Sequence, residues 1–238
     1  MQMETDLSLT YHTYLQNKTK ATPLAVFRIL FGFLMAFSLA RFWYKGWIED
    51  LYLIPKFHFK YTGFEWIQAP GQLLYLIFIV GILSAISIGL GYRYRLSIII
   101  FFFSFLFIEL IDKTTYLNHY YFISVMSFIL IFLPANCHFS FDAKLDATIR
   151  SEFIPRLNLD ILKLMLAIVY IYAGLAKLNY DWIFRAMPLS LWLPTKADLP
   201  IVGALMNEKW VHYFFSWGGA LYDLLIIPLL LWPKTRTL

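Results

Sequence analysis

Long apolar runs separated by short polar stretches dominate this chain, and their lengths predict its elements. A helix needs about 20 mostly apolar residues to cross a hydrocarbon core. Such runs lie near residues 22–43, 72–92, 95–112, 120–135, 159–178 and 212–232. They predict an all-α fold, a polytopic transmembrane helical bundle with about six spans. The fourth run is the shortest, and fewer than about 17 residues is marginal for a full crossing, so a re-entrant segment is the alternative there. From Tyr44 to Gly71 the pattern changes: Trp47, Phe57, Phe59, Phe64 and Trp66 alternate with polar positions and two prolines. That stretch reads as an amphipathic interfacial segment lying on the membrane. The expected division is an N-terminal segment 1–21, a transmembrane domain 22–235 and a tail 236–238.

Composition sharpens this picture. Of the residues, 60% are hydrophobic and only 15% charged, with a mean hydropathy of +0.63, which excludes an ordinary soluble domain. The 20% aromatic content exceeds what interfacial belts need and leaves rings to line interior space. The formal net charge is +5, but its lysines and arginines are scattered over loops and helix ends, which argues against a nucleic-acid partner. Cys137 is the single cysteine, so an intrachain disulfide and multi-cysteine metal sites are excluded. His138 and His212 lack convergent partners in the pattern, and no metal site is expected. The start, Met1 to Leu7, carries acids and lacks the basic opening and apolar core of a cleavable signal.

Six crossings put both termini, the 93–95 turn and the 136–158 loop on one side, with Lys18, Lys20, Arg93, Arg95, Lys144, Arg150, Arg156, Lys234 and Arg236. The other side carries Lys45, Lys56, Lys60, Lys113, Arg185, Lys196 and Lys209. This bias predicts termini in the cytoplasm. It also places the start of span four beside His119, the end of span five beside Lys177 and the start of span six after His212 at one membrane face. Glu109, Asp112, Lys113, Asp181 and Trp182 fall at that face too. In a chain so poor in ionisable groups, this clustering marks a buried polar site near one interface.

Lys177 closes a hydrophobic helix in the segment Ala173-Gly174-Leu175-Ala176-Lys177-Leu178-Asn179-Tyr180-Asp181-Trp182. Ionisable residues in such segments are costly and point to function. Desolvation favours the neutral amine, making Lys177 a general-base candidate; the structural alternative is a snorkelling lysine that offsets the helix dipole. Asp223 lies about 11 residues, roughly 16 Å, into the last span. A carboxylate so deep needs a proton or a partner, for which Arg28 in span one is a candidate; the pair is read as structural. Asp181 can cap the turn after span five or pair with Arg185. Gly218-Gly219 is expected to let the last span approach a neighbour closely.

Four blocks carry a family resemblance. They are Asp112-Lys113-Thr114-Thr115-Tyr116-Leu117-Asn118-His119-Tyr120-Tyr121, Leu133-Pro134-Ala135-Asn136-Cys137-His138-Phe139-Ser140-Phe141-Asp142, the Lys177 segment, and Ser216-Trp217-Gly218-Gly219-Ala220-Leu221-Tyr222-Asp223-Leu224. In this order, from about Pro23 to Thr235, they resemble the vitamin K-dependent γ-glutamyl carboxylase family and its bacterial transmembrane (HTTM) relatives. The resemblance implies that Lys177 deprotonates reduced vitamin K or a menaquinone-type quinol and that His119 stands at the reaction centre. It implies Asn118, Tyr120, Gly174, Asp181 and Trp182 as substrate-binding positions. Oxygen and carbon dioxide are the implied co-substrates, and a glutamate-containing peptide or protein the implied partner: the oxygenated quinone removes a γ-proton and carbon dioxide traps the carbanion. A lipophilic quinol would arrive laterally through the lipid bilayer.

Two departures separate quinol chemistry from glutamate carboxylation. Ala176 stands where animal carboxylases carry a second lysine, and Asn179-Tyr180 replace more acidic residues. The carboxylases continue into a further domain, whereas this chain ends at Leu238, so the membrane core alone is expected. The competing reading, from another class, is a non-enzymatic HTTM membrane protein acting in peptide maturation or export. A transporter has less support, because no internal repeat is detectable.

Overall fold

The structure, a computed structural model, describes Tyr14 and residues 16–232. Most of the N-terminal segment, Lys234, Arg236 and the tail 236–238 lie outside the described residues. The chain divides into two compact units, Met1–Asp160 and Ile161–Leu238. Five helices are long and apolar enough to cross a membrane, as expected of an integral membrane protein built as a helical bundle.

In the first unit, α1 (Thr22–Tyr44), α2 (Leu73–Leu90), α3 (Tyr94–Ile111) and α4 (Asn118–Phe132) pack in chain order, each on the next. Pro23 supplies the preset φ of a first helical turn. Gly91 ends α2 in the left-handed conformation, with φ +66°. The helix α5 (Phe141–Leu145) follows α4. A two-stranded antiparallel ladder, β1 (Lys18–Lys20) with β2 (Phe153–Pro155), pairs Lys18 with Pro155. Such short strands leave no trace in the hydropathy pattern.

Arg28 organises one end of this unit. Its side chain is completely buried in a helix that offers it no water, so every N–H must find a protein acceptor. Nε donates to Ala135 O at 3.0 Å, Nη1 to Ile88 O and Gly89 O at 2.7 and 2.9 Å, and Nη2 to Phe139 O at 2.6 Å. Gly89 O, at the end of α2, is thereby bonded, Ile88 O gains a second donor beside the Gly91 N–H that already reaches it at 3.0 Å, and the segment leaving α4 is tied to α1. Close backbone approach makes this possible: a Cβ on Gly32 would lie 2.6 Å from Gly89 Cα. Asp142 completes this end by accepting from Arg93 N and Tyr94 N at 2.7 and 2.9 Å, satisfying the first donors of α3, and from Asn136 Nδ2 at 2.8 Å.

At the opposite end the loop after α1 is pinned to the end of α3. Lys113 N donates to Phe59 O at 2.7 Å, Lys60 Nζ to Ile111 O at 2.9 Å, and Tyr52 meets Thr115 at 3.3 Å. Helix α4 starts here, and its exit segment is held by Arg28, so it runs the full length of the unit. Its 15 residues give about 22 Å of rise, and the non-helical segment after Leu133 completes the path. The short fourth run is therefore an end-to-end element of the unit.

The second unit holds most of α6 (Leu157–Lys177), the short α7 (Tyr180–Arg185) and α8 (Leu189–Trp192), and α9 (Lys209–Leu231). The close approach expected at Gly218-Gly219 occurs elsewhere. Among the described residues of this unit a Cβ on either would meet nothing within 4 Å, whereas one on Gly174 would lie 2.7 Å from the Leu224 side chain.

Two outcomes follow for the first unit. Arg28→Leu strands buried carbonyls worth about 1–3 kcal/mol each, so thermal unfolding in detergent is expected to show a loss of at least ~3 kcal/mol, and Arg28→Lys will not restore it because one ammonium cannot reproduce the planar fork. Cys137 is buried, and that burial pushes its thiol above the ordinary range. At pH 7–8 maleimide labelling of the folded protein is expected to be at least 10-fold slower than after denaturation.

Candidate functional site

The second unit gathers the polar groups of its membrane helices around Lys177. Asn179 is the local organiser. Its side-chain oxygen caps α7 by accepting from Trp182 N at 2.9 Å, while its amide nitrogen donates back to Ala176 O at 2.8 Å. Asparagine is a favoured N-cap because its short side chain satisfies a free N–H of the first turn. The same residue closes α6 and opens α7, turning the chain within three residues.

That turn brings the indole of Trp182 over Lys177, with Nζ 5.4 Å from the ring centroid. The indole is fixed in turn. Its Nε1 donates to Ser216 O at 2.7 Å, and Ser216 Oγ donates to Trp182 O at 2.5 Å. Trp217 Nε1 and Tyr213 Oη donate to Ile183 O and Phe184 O, each at 2.8 Å, and lace α7 to α9 along its length. Gly174, one turn before Lys177, lets Leu224 press against α6.

Lys177 Nζ donates to Asp223 Oδ2 in a direct ion pair. The two side chains are 23% and 13% exposed, so both are largely withdrawn from solvent. The partner of Asp223 is therefore Lys177 and not Arg28, whose donors are taken by backbone carbonyls. The reason is local: Gly174 allows α6 and α9 to approach, and Asp223 adjoins the Leu224 that fills the gap. Asp181 turns away from this cluster and pairs with Arg185 at 3.3 Å, with both side chains mostly exposed. Capping at that turn belongs to Asn179.

Asn118, His119 and Tyr120 share the first turn of α4 in the first unit. Asn118 and His119 are exposed, and the His119 ring stands edge-on to Tyr120 at 4.7 Å. Tyr120 packs edge-on against Phe105 at 5.8 Å and lines a cavity of about 20 Å³ with Tyr52, Thr115 and Glu109. Burial pushes the Tyr52 phenol up to about 12. Asn179 and Ser216 escaped the sequence reading. Asn three residues before Trp182 is a capping signal that could have exposed the first, while nothing in the sequence marks Ser216 as the seat of an indole.

Comparison with known families places this architecture. The HTTM domain matches residues 16–238. The chain belongs to the HTTM domain family. No solved structure matches it. In this HTTM protein Lys177, Trp182, Gly174 and Asp223 converge in one unit, and Asn118, His119 and Tyr120 cluster in the other.

Removing one member of the ion pair leaves the other buried without its counter-charge, whereas removing both costs little. Asp223→Asn is therefore expected to destabilise the protein by about 1–3 kcal/mol, and Lys177→Met/Asp223→Leu to recover most of that loss in a double-mutant cycle followed by denaturant unfolding.

Proposed function

We propose that this HTTM protein is a membrane-embedded, vitamin K-dependent carboxylase-like enzyme that starts the oxygenation of a reduced quinone, with Lys177 as general base. The observation that carries this reading is the amine of Lys177 set between the Trp182 ring and the Asp223 carboxylate, largely out of water. HTTM domains occur in vitamin K-dependent carboxylase-like proteins, which supports the same assignment.

A quinol hydroxyl is a weak acid, and its deprotonation needs a neutral base and a group to stabilise the oxyanion. The Lys177–Asp223 pair can supply the base without net charge: passing the proton from Nζ to the carboxylate leaves a neutral amine beside a neutral acid. Trp182 offers an aromatic face for the ring of a menaquinone-type quinol, and the exposed Leu178 and Tyr180 form an apolar approach for a lipid tail. The family resemblance also implies parts for His119, Asn118 and Tyr120, which stand together on the first turn of α4. The reduced quinone would supply, with oxygen, the strong base that abstracts a glutamate γ-proton; carbon dioxide would be the trap and a glutamate-containing peptide the acceptor. We assign the protein to the bacterial cytoplasmic membrane. The end of the first unit carrying Lys18, Lys20, Arg93 and Lys144 would face the cytoplasm, which supports a cytoplasmic N-terminus.

The alternative, a non-enzymatic HTTM protein in peptide maturation or export, draws on the same ion pair, since a lysine matched by Asp223 can be purely structural. One experiment separates them: conversion of reduced menaquinone to its epoxide by purified protein in nanodiscs under oxygen and carbon dioxide. Lys177→Met is expected to lower the rate at least 100-fold, within the range seen for loss of a general base, while the folded state persists. Epoxidation undiminished by Lys177→Met, or absent from folded wild type, overturns the proposal.

A further inference from the structure

A second candidate site stands in the first unit and shares only Glu109 with the small cavity that Tyr120 lines. Between α3 and α4 lies an open groove of about 380 Å³, walled by Phe102, Leu106, Val125 and Phe128. That volume is in the range of small-ligand pockets. Tyr121 and Phe128, at 58% and 48% exposed, mark a side open to lipid. Polar groups interrupt the apolar wall: the Glu109–Ser124 pair, the Tyr61 hydroxyl and the phenols of the exposed Tyr116 and Tyr121. Glu109 is only 9% exposed. Its Oε2 accepts from Ser124 Oγ at 2.5 Å, and among the described residues no hydrogen bond reaches Oε1. Tyr61 reaches the same groove from the loop after α1, which the Lys113–Phe59 and Lys60–Ile111 hydrogen bonds hold in place. Its Oη is buried and meets no hydrogen-bond partner among the described residues.

A buried hydroxyl without a partner is uncommon and costly. Burial, with the nearby Glu109 carboxylate adding to it, pushes the Tyr61 phenol up, so it remains a donor. Apart from the exposed Tyr116 and Tyr121 phenols, the lining thus holds one unused buried acceptor, Glu109 Oε1, and one unused buried donor, Tyr61 Oη, beside an apolar wall open to the bilayer. A lipid hydroxyl matches that set, because it donates to one group and accepts from the other through a single oxygen. A carboxylate would face Glu109 with like charge. An ammonium would give up its hydration and leave the Tyr61 proton without an acceptor.

We propose that this groove binds a membrane-dissolved lipid carrying one free hydroxyl, an alcohol or a phenol, which donates to Glu109 and accepts from Tyr61. Lys177 takes no part in this binding, so the site stands or falls separately from the reading above.

The test uses the full chain in nanodiscs with four photoreactive C20 isoprenoid probes: an alcohol, a phenol and the methyl ether of each. Crosslinks are mapped by mass spectrometry. At least one free-hydroxyl probe is expected to label residues 102–128 at least 10-fold more than its ether, and the stronger arm identifies the ligand as alcohol or phenol. Tyr61→Phe removes only an oxygen that has no protein partner, so the unfolding temperature should stay level or rise while labelling falls at least 5-fold. Leu106→Trp fills the groove and should abolish labelling, and Lys177→Met should leave it unchanged. Equal labelling by ethers and free hydroxyls, no labelling of 102–128 by either free-hydroxyl probe, or labelling indifferent to both Tyr61→Phe and Leu106→Trp overturns the proposal.

Discussion

In an apolar medium no buried polar group can borrow a hydrogen bond from solvent, and this requirement shapes both units. Arg28 shows it most plainly. A cation inside a helix of this hydropathy is costly unless its donors are taken, and four backbone carbonyls from two separate segments take them. The cost of burying the charge thereby becomes a clamp, because one guanidinium ties the end of α2 and the chain leaving α4 to α1. Asp142 does the reciprocal work beside it, accepting from the N–H groups that open α3. The two side chains satisfy opposite helix ends at the same end of the bundle.

The same requirement builds the second unit from different parts. There a cation and a carboxylate answer each other, Lys177 from the end of α6 and Asp223 from the middle of α9. A paired charge is weak evidence for stability. What the arrangement secures is geometry: Nζ is held against one indole face, at a position set by a capping asparagine and two reciprocal serine–tryptophan hydrogen bonds.

Much of this was legible in the sequence, for a physical reason. Helices that meet lipid must be apolar along their whole length, so the runs at 22–43, 72–92 and 95–112 became Thr22–Tyr44, Leu73–Leu90 and Tyr94–Ile111 with shifts of only one or two residues. The prominence of Lys177 and of the depth of Asp223 was legible too, since charge stands out against an apolar background. What stayed hidden depends on which faces meet. Arg28 and Asp223 were natural partners on a list of intramembrane charges, yet the arginine is saturated by carbonyls that no sequence pattern displays. Gly218-Gly219 carries the small-residue signature of a packed interface and meets no neighbour among the described residues of its own unit, whereas the lone Gly174 takes a neighbour's side chain. Glu109 and Tyr61 are 48 positions apart, and only the loop pinned at Phe59 and Lys60 brings them to one groove.

Asn179 gives the turn between α6 and α7 a further property. Its two hydrogen bonds run to Ala176 and Trp182, on either side of Lys177, and the indole is fastened to Ser216 without using the lysine. The frame around the amine is therefore held by hydrogen bonds in which the charge takes no part. The lysine is a tenant of a niche whose walls stand by themselves, and the reach of its four-carbon stem, rather than the attraction of its charge, decides what else can occupy the space beside it.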